Sequence, residues 1–379
     1  MGADTRASGT NGTDSYQAPS SEAVDSRPHS CADDRPVGGC LSLFLEAWRA
    51  ITNDPWVLSV IERGYAPTFQ GPRPPLTRDW ASHESATPGN RAMLIQETQC
   101  LLEKQAVEPV SRPASLGFYS HVFLVPKKNG QLRPVINLRP LNRVLHTPHF
   151  QMETVGSITA AIQPGDWATS LDLTDAYFHI PIAPWFRKYL RFVVRGKVYQ
   201  FRALPFGLAP APLVCTRVHA PLAVHLHAQG ILFHRYLDDL LIRAQSSLLC
   251  QQWTEQTLRL LSDLGLGVNL DKSELTPSQD FVYVGVRFRT DVGLCTPPPE
   301  RLASAHQACQ QMAQAGAAPA RAWLSLLGIL GSLEKLVPLG RLHIRPVHFC
   351  VYRQFRIGVH PLSRVVCLDN DAKKPYPGG

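Results

Sequence analysis

The N-terminal part of the chain passes from a polar segment to apolar residues at helical spacing. Residues 1–38 hold few large apolar side chains and are rich in Ser, Thr, Asp and Gly, which predicts a disordered tail. Order is expected to begin at Leu41, because apolar side chains then recur every three or four residues as far as Ile51. Residues 91–105 repeat that spacing. The pattern predicts a helical N-terminal extension over residues 39–106.

Further along the chain the hydrophobic period shortens to that of strands and hairpins. Two turns are indicated between apolar runs, Asn129-Gly130 and Arg195-Gly196, because Asn and Gly tolerate positive φ. Phe281 to Phe288 is interpreted as one strand. Strands and helices alternate without a regular βαβ series, which predicts an α+β fold.

Helical spacing returns after the last predicted strand. Two helices are expected near 299–314 and 319–336. The predicted organisation is therefore a strand-rich region at 107–289, a helical segment at 290–340 and a basic C-terminal segment at 341–379.

The net charge is positive and unevenly distributed. The chain carries 38 Lys and Arg against 30 Asp and Glu, a net charge of +8. Residues 1–40 contribute three Arg and six acids, or −3, so the remainder carries 8 − (−3) = +11. A basic body suggests a polyanionic partner such as nucleic acid, and a solvated basic surface is an equally good reading of charge alone.

Cysteine usage and hydropathy restrict the class of protein. The nine Cys include no C-x-x-C pair, which argues against a disulfide framework and against a cysteine zinc site. No apolar run approaches the ~20 residues that span a bilayer, so no membrane partner is expected. We expect an intracellular protein with reduced thiols, in the cytoplasm or the nucleus.

Two adjacent acids are the most informative chemical feature. Asp238 and Asp239 interrupt an apolar stretch whose runs 231–233 and 240–242 predict the arms of a buried hairpin. Two carboxylates at such a tip cost several kcal/mol of desolvation unless cations compensate them. The pattern favours a metal site over the alternative, an ordinary surface turn.

Asp172 supplies a third carboxylate at the end of another predicted strand. It alternates with Leu171 and Leu173, which favours Asp172 as the ligand and leaves Asp175 as a structural acid. The alternative is a helix cap formed by either acid. Three Asp from two strands suit two divalent ions ~4 Å apart, the arrangement used for nucleotidyl transfer.

Two further segments indicate a nucleotide site. Lys128 and Arg133 lie on opposite arms of the predicted basic hairpin and could clamp a triphosphate, although a solvated basic hairpin has the same pattern. Phe206 and Gly207 form a rigid turn, where Phe206 could stack on the template base and Gly207 could allow close backbone approach. An ordinary core turn is the alternative.

Taken in order, five segments resemble those of reverse transcriptases over residues 107–289. They are the basic hairpin 125–139, the run 171–177, the turn 204–208, the Tyr-Leu-Asp-Asp string 236–239, and 269–272 followed by 284–286. The resemblance implies a right-hand polymerase with fingers and palm, followed by a partial thumb-like helical part.

The resemblance also implies roles for individual residues. Asp172, Asp238 and Asp239 would be catalytic and would hold two Mg²⁺, replaceable by Mn²⁺, with the backbone carbonyl of Leu173 in the metal shell. Tyr177 would be the steric gate that rejects a 2′-OH. The nucleotide-side residues would bind the incoming dNTP and the template base; these are Lys128, Arg133, Phe206 and Gly207. The implied partners are an RNA template, a DNA or RNA primer and dNTPs.

A finer resemblance is to DIRS-type tyrosine-recombinase retrotransposons, with gypsy-like elements next. It rests on 44–48, 54–58 and 64–65 upstream and on 336–343 downstream. It implies a parent polyprotein with RNase H and recombinase modules, of which this chain would be a fragment. Asn137 departs from the Asp of many relatives, as do Leu213 and Cys215 from bulkier residues.

Three alternatives remain at this stage. An inactive, nucleic-acid-binding relic is disfavoured by the intact carboxylates, and an RNA-directed RNA polymerase is disfavoured by Tyr177. The C-terminal segment has no Asp or Glu between Lys335 and Val366, and five Arg with interleaved aromatics predict template–primer binding. A disordered remnant, basic by accident, is the alternative there.

Overall fold

The computed structural model describes residues 36–83, 91–111, 115–126 and 132–368. All of them belong to the larger of two contact-defined units, Asp33–Gly379. Residues 1–35 of the predicted tail, Lys128 and the predicted Asn129-Gly130 turn lie outside the described residues. Gly38 already contacts the rest of the fold, three residues before the predicted start at Leu41, because its N–H donates to the Lys104 carbonyl at 2.7 Å.

The α-helices begin near the first described residues and continue to the C-terminal region. In chain order they are α1 Leu45–Ile51, α2 Pro55–Arg63, α3 Arg91–Glu103, α4 Arg139–Asn142, α5 Val155–Ala161, α6 Ala211–Val218, α7 Ala220–Ala228, α8 Ser247–Asp263, α9 Pro299–Ala315, α10 Ala320–Gly331 and α11 Gly340–Gln354. Short 3₁₀ helices cover Cys40–Phe44, Ala81–His83, Ala176–His179, Arg187–Tyr189 and Leu270–Lys272.

The strands form small antiparallel sheets. In chain order they are β1 Val107–Pro109, β2 Val122–Pro126, β3 Leu132–Ile136, β4 Trp167–Asp172, β5 Arg191–Val194, β6 Lys197–Phe201, β7 Leu232–Tyr236, β8 Asp239–Ala244, β9 Glu274–Ser278, β10 Asp280–Tyr283, β11 Val286–Arg289, β12 Leu294–Thr296, β13 Ala317–Pro319 and β14 Val365–Cys367. The mixture confirms the predicted α+β class.

A four-stranded sheet of order β7-β8-β4-β9 forms the central layer. The register of β4 and β8 runs from Trp167 opposite Ala244 to Asp172 opposite Asp239. Helix α8 packs across this sheet, where the Thr254 and Thr169 hydroxyls are 2.6 Å apart. The sheet and its helix therefore bring the ends of β4 and β8 to one edge.

The N-terminal helices are part of the main hydrophobic core. Leu41 and Trp48 are completely buried, and the Trp48 indole N–H donates to the Leu264 carbonyl at 3.0 Å. Asp54 caps α2 by accepting from the backbone N–H groups of Trp56 and Val57. The N-terminal helices thus brace the end of α8 behind the central sheet.

Two hairpins lie in the predicted fingers region. Sheet β1-β6-β5 contains the Arg195-Gly196 turn, whose φ angles of 53° and 68° confirm the predicted hairpin. In the β2-β3 hairpin, Val125 lies opposite Arg133. A two-residue turn at 129–130 with unbroken pairing would place Val125 opposite Pro134, so the register of the described arms differs from the prediction by one residue.

The interpretation of 281–288 as one strand is wrong. The segment forms the hairpin β10-β11, with Val284 at φ 47° and Gly285 at φ 72° in the turn. A β-branched residue rarely adopts positive φ, so the presence of Val284 disfavours a turn in the sequence pattern. Gly285 alone is only a weak turn signal.

The C-terminal helices and the β13-β14 pair share a second hydrophobic core. Trp323, Val351 and Phe355 are almost fully buried in it, and the Trp323 indole N–H donates to the Val366 carbonyl at 3.0 Å. The alternative of a disordered remnant is therefore wrong for 341–368. The expectation that Phe355 is available to nucleic acid is wrong too, because its side chain is 1% exposed. Within the described ranges, no helix is long and apolar enough to cross a membrane.

Candidate active site

The three predicted carboxylates meet at one edge of the central sheet. Asp172 ends β4 and lies opposite Asp239, the first residue of β8. Asp238 lies in the turn between β7 and β8, and its backbone carbonyl accepts from the Leu173 N–H at 2.9 Å. Backbone pairing alone therefore fixes the three residues next to one another.

The turn that carries Asp238 is tight and strained. Tyr236 pairs with Asp239, which leaves two residues in the loop, and Leu237 has a φ of 58°. A left-handed conformation costs a residue with a Cβ about 1–2 kcal/mol, and such strain is concentrated at functional sites. Leu237 is therefore a position where backbone geometry takes precedence over residue preference.

The hairpin arms are buried as predicted, but its tip is not. Leu240 and Leu241 are completely buried, whereas Asp238 and Asp239 are exposed. The two carboxylates are therefore less desolvated than the sequence pattern predicted. Water reaches this edge of the sheet, as a site for a charged substrate requires.

The electrostatics of this edge favour a cation. Partial burial and the neighbouring charges of Asp238 and Asp172 raise the pKa of Asp239 to about 6, against the attraction of Lys272. Burial also raises the pKa of Asp172, with Asp238 adding to the shift and Lys272 opposing it. The Lys272 Nζ lies 3.6 Å from the Asp172 Oδ1 and is largely exposed, so it screens the cluster without neutralising it.

The donor chemistry suits Mg²⁺ and Mn²⁺ at an open site. Within the described ranges, no three His, Cys, Asp or Glu side chains lie close enough to enclose a metal ion by themselves. Mg²⁺ prefers oxygen ligands, keeps several waters and takes further oxygens from a phosphate substrate, so a closed protein cage is not required. Burial first, and repulsion by the neighbouring carboxylates second, raise the pKa values of Asp172 and Asp239, and such an ion would offset both effects.

The segment after α8 holds β4 in place through contacts that the sequence did not predict. The Asp172 N–H donates to the Ser273 hydroxyl at 3.0 Å, and its carbonyl accepts from the Asn269 N–H at 2.8 Å. The Gly267 N–H donates to the buried His179 Nε2 at 3.0 Å. The motif at 269–272 marked this segment, but its spacing gave no signal for Ser273 or His179.

Asp175 has the structural surroundings expected of it. Its backbone has a φ of 49°, and its carboxylate forms an ion pair with Lys104 at 2.6 Å. The pair ties the loop after β4 to the end of α3. Asp172 remains the acid of this loop that faces the carboxylates of β8.

An aromatic cluster lies beside the carboxylates. The Tyr177 and Phe206 ring centroids are 4.8 Å apart, and Phe178 lies 5.5 Å from Phe206. Tyr177 is only 8% exposed, whereas Phe206 is 50% exposed. Burial, followed by smaller contributions that include the Asp238 charge, raises the pKa of the Tyr177 phenol well above its usual range. The ring therefore lies near the carboxylate edge, with Phe206 facing solvent.

The turn that holds Phe206 is fixed by Asn142 of α4. The Asn142 Nδ2 donates to the Gly207 carbonyl at 2.8 Å, and its Oδ1 accepts from the Ala209 N–H at 2.9 Å. Gly207 has a φ of 89°, while a Cβ there would meet the Ile136 carbonyl at an ordinary 3.6 Å. The backbone conformation of Gly207 thus favours glycine by itself, and close approach of this backbone to a bound nucleotide stays a prediction. Sequence spacing gave no signal for Asn142.

The predicted triphosphate clamp stays a prediction. Lys128 lies outside the described residues, and of Arg133 only the backbone is described, on β3 opposite Val125. A cavity of about 780 Å³ lies next to the carboxylates, between β4, β9 and the β10-β11 hairpin, with Asp172, Asp239 and Lys272 in its lining.

Comparisons with known proteins identify this region. Residues 125–288 match the family described as reverse transcriptase (RNA-dependent DNA polymerase). The chain is 28% identical over 190 residues to the Gag-Pro-Pol polyprotein of human T-cell leukemia virus 2, covering 47% of this chain and 12% of that polyprotein. It is 26% identical over 189 residues to the retrovirus-related Pol polyprotein from transposon opus of Drosophila melanogaster, covering 48% of this chain and 18% of the relative.

Solved structures share the fold. The foamy viral protease–reverse transcriptase in complex with double-stranded DNA superposes with a TM-score of 0.62 at 16% identity, over 83% of this chain and 56% of that one. The same enzyme with an RNA/DNA hybrid gives 0.58 at 15% identity, over 83% and 43%. The chain thus spans about half of the solved enzymes and less than a fifth of the polyproteins. Residues 125–288, somewhat under half of the chain, thus match the reverse transcriptase family of nucleotidyltransferases, and the chain has the polymerase fold of the foamy viral structures.

Proposed function

We propose that this chain is the polymerase part of a retroelement reverse transcriptase and extends a primer with dNTPs on an RNA template. The observation that carries the proposal is the carboxylate edge, where Asp172, Asp238 and Asp239 are set side by side by strand pairing and a two-residue turn. The domain match over 125–288 gives that edge its chemical context.

In the proposed mechanism the three carboxylates and the backbone carbonyl of Leu173 would hold two Mg²⁺ or Mn²⁺ ions. Such ions lower the pKa of an attacking hydroxyl and neutralise a leaving pyrophosphate. The chain itself contributes placement: the Leu173 peptide is fixed by its N–H bond to the Asp238 carbonyl, and the Asp172 backbone is bonded on both sides. These bonds hold the carboxylates in position before substrate arrives.

Substrate choice is proposed to rest on Tyr177. Its ring is held by Phe206, which leaves it little freedom to move aside for a 2′-OH. Phe206, half-exposed beside it, presents a ring to the template base or the incoming base. Lys128 and Arg133 are proposed to bind the triphosphate, as the basic hairpin suggests.

The proposed partners are an RNA template and a DNA or RNA primer. The net charge of +11 outside residues 1–40 supports a polyanionic partner. The foamy viral enzyme is bound to double-stranded DNA in one solved structure and to an RNA/DNA hybrid in the other.

The parent element is proposed to be of the DIRS type, with gypsy-like elements as the next candidate and with RNase H and recombinase modules elsewhere in its polyprotein. We also propose an intracellular site of action, for which the lack of a C-x-x-C pair among the nine Cys is the supporting pattern.

Primer extension on poly(rA)/oligo(dT) with Mg²⁺ and dTTP tests the proposal. The expected result is metal-dependent extension by the parent chain that the Asp238→Asn variant lacks. Binding of the primed template without extension would indicate a catalytically inactive relic. Preferential use of rNTPs would indicate an RNA-directed RNA polymerase.

A further inference from the structure

Helix α11 carries an unusual row of exposed side chains. Arg341, Arg345, His348, Phe349 and Tyr352, here called the α11 stripe, are all exposed. Their spacing of three or four residues places them along one side of the helix. Eleven residues separate the first from the last, a length of about 16 Å.

A different side of α11 packs against the rest of the protein. Ile344 and Val351 are buried against the second hydrophobic core, and Val347 packs on it in part. The stripe is therefore separate from the side of α11 that packs in the core. It is a surface that the fold presents to solvent.

The arginines of the stripe have no acidic partner in the described part of the chain. Among the described residues, neither Arg341 nor Arg345 forms an ion pair or a side-chain hydrogen bond, and no Asp or Glu occurs between Lys335 and Val366. Arginines elsewhere are bonded, for example Arg187 to Glu108 and Arg243 to Asp166. Unpaired guanidinium groups in a row are available to an anionic partner.

Two exposed rings lie within the same row. Phe349 is 53% and Tyr352 45% exposed, large values for aromatic side chains. The Arg345 guanidinium lies 5.4 Å from the Phe349 centroid, and the His348 ring stacks on Tyr352 at 5.6 Å with an interplanar angle of 27°. One cation–ring pair and one ring–ring pair thus lie side by side on the stripe.

We infer that the α11 stripe binds single-stranded nucleic acid, with Arg341 and Arg345 on phosphates and Phe349 and Tyr352 against unpaired bases. Phosphate contacts alone would suit a duplex equally well, but exposed rings add stacking that only unpaired bases can use. The surface lies on the helical part after residue 290, outside the matched domain at 125–288. It would add a contact for unpaired template to the catalytic site proposed above.

An acidic protein is the competing partner for a row of arginines. It would use the guanidinium groups but has no general need for two exposed rings beside them. Nucleic acid uses both, because each nucleotide brings a charge and a π-face. The two exposed rings therefore favour nucleic acid over an acidic protein, and they are tested separately from the arginines.

Point substitutions are the appropriate test. Deleting 341–379 would also remove Val351 and Phe355 from the second core and would expose Trp323, so a loss of binding could reflect unfolding. We choose Arg341→Gln/Arg345→Gln for the charges and Phe349→Leu/Tyr352→Leu for the rings. The matched control is Arg63→Gln/Arg259→Gln, which removes two charges from side chains that are each 78% exposed on other helices.

The measurement is fluorescence anisotropy of a labelled 20-nucleotide oligo(rU) with the full chain across a salt series, with thermal melting of each variant. The charge variant should lose about ten-fold in affinity and lower the salt slope by about 1.4, at ~0.7 per single-strand phosphate contact. The ring variant should lose at least about five-fold with an unchanged slope. The control should keep affinity near that of the parent after the small general loss of charge.

Three outcomes would overturn the inference: stripe variants that bind like the parent, a control that loses as much as the charge variant, or poly-glutamate that displaces oligo(rU) as well as unlabelled RNA does. The proposed function fails separately, by absence of primer extension. Binding of oligo(rU) is measured without Mg²⁺ and without dNTP, so the two failures are distinguishable.

Discussion

Asp172 and Asp239 face each other as paired residues of neighbouring antiparallel strands, at the point where both strands reach the edge of the sheet. Like charges directly opposite one another destabilise a sheet. The strand register, which pairs each residue from Trp167 to Asp172 with a residue of β8, nevertheless places these two carboxylates opposite each other. An arrangement that is unfavourable for folding but favourable for a divalent cation indicates a site kept for chemistry.

Asp238→Asn should abolish Mg²⁺-dependent DNA synthesis, by roughly a thousand-fold or more, because the amide removes a charged ligand from the proposed metal site. The melting temperature should stay close to that of the parent, since Asp238 is exposed in a turn. Primer extension and thermal melting check both parts.

Asp263→Asn is the matched control, because it removes the same charge from an exposed position at the end of α8. It should leave synthesis unchanged. Activity of Asp238→Asn within a few-fold of the parent would refute the metal assignment.

Tyr177→Ala should admit rNTPs, because removal of the ring opens the space beside the sugar 2′ position. Tyr177→Phe should retain discrimination, since the ring and its contact with Phe206 are kept. The measurement is the ratio of kcat/KM for dTTP and rUTP, where we expect a fall of at least ten-fold for Ala alone. An unchanged ratio in Tyr177→Ala would make Tyr177 a packing residue.

The sequence predicted those parts of the fold in which local signals agree. At Arg195-Gly196 a turn-forming pair lies between two alternating apolar runs, and the hairpin is present. At Val284-Gly285 the β-branched Val disfavours a turn, so the sequence pattern predicted a single strand. The hairpin forms because strand pairing in the folded protein overrides the preference of that residue.

The site residues were predictable where a sequence motif marks them and were not predictable where a contact joins distant segments. The order of motifs placed Asp172 near Asp238 and Asp239, because strands that end in acids at a common edge bring them together. The contact of Asp172 with Ser273 spans 101 residues and that of Asn142 with Gly207 spans 65. No local period encodes such contacts, since they depend on how separate elements pack.

Asn142→Ala should loosen the turn that presents Phe206, because both bonds from its amide to the turn are lost. We expect the KM for dNTP to rise several-fold with a smaller change in kcat, and stability to fall by about 1–2 kcal/mol. Asn142→Asp keeps the acceptor for the Ala209 N–H but loses the donor to the Gly207 carbonyl, so its effect should be intermediate. A KM equal to that of the parent in both variants would exclude a positioning role.

Two buried histidines beneath the site predict the acid sensitivity of the fold. Burial lowers the pKa of His179 to about 4, against the opposing effects of the Ala176 carbonyl and Asp175. Burial, with Arg235 and His179 adding, lowers the pKa of His219 to about 3. The His219 Nδ1 lies 3.7 Å from the Cys215 thiol, and its Nε2 has no hydrogen-bond partner in the part of the chain that the structure describes.

Because an unfolded histidine binds its proton near pH 6.5 and these two do not, the stability they contribute is complete above pH 6.5. It is lost as pH falls toward 4 for His179 and toward 3 for His219. Each should lower the free energy of unfolding by up to about 1.4 kcal/mol per pH unit below 6.5. Urea melts between pH 7.5 and 5 measure this slope in the parent, in His219→Asn and in His179→Gln, which keeps an acceptor for the Gly267 N–H. Each variant should be less stable than the parent at pH 7.5 and should show a shallower slope; variants that lose stability equally at every pH would mean that neither histidine is held neutral by the fold.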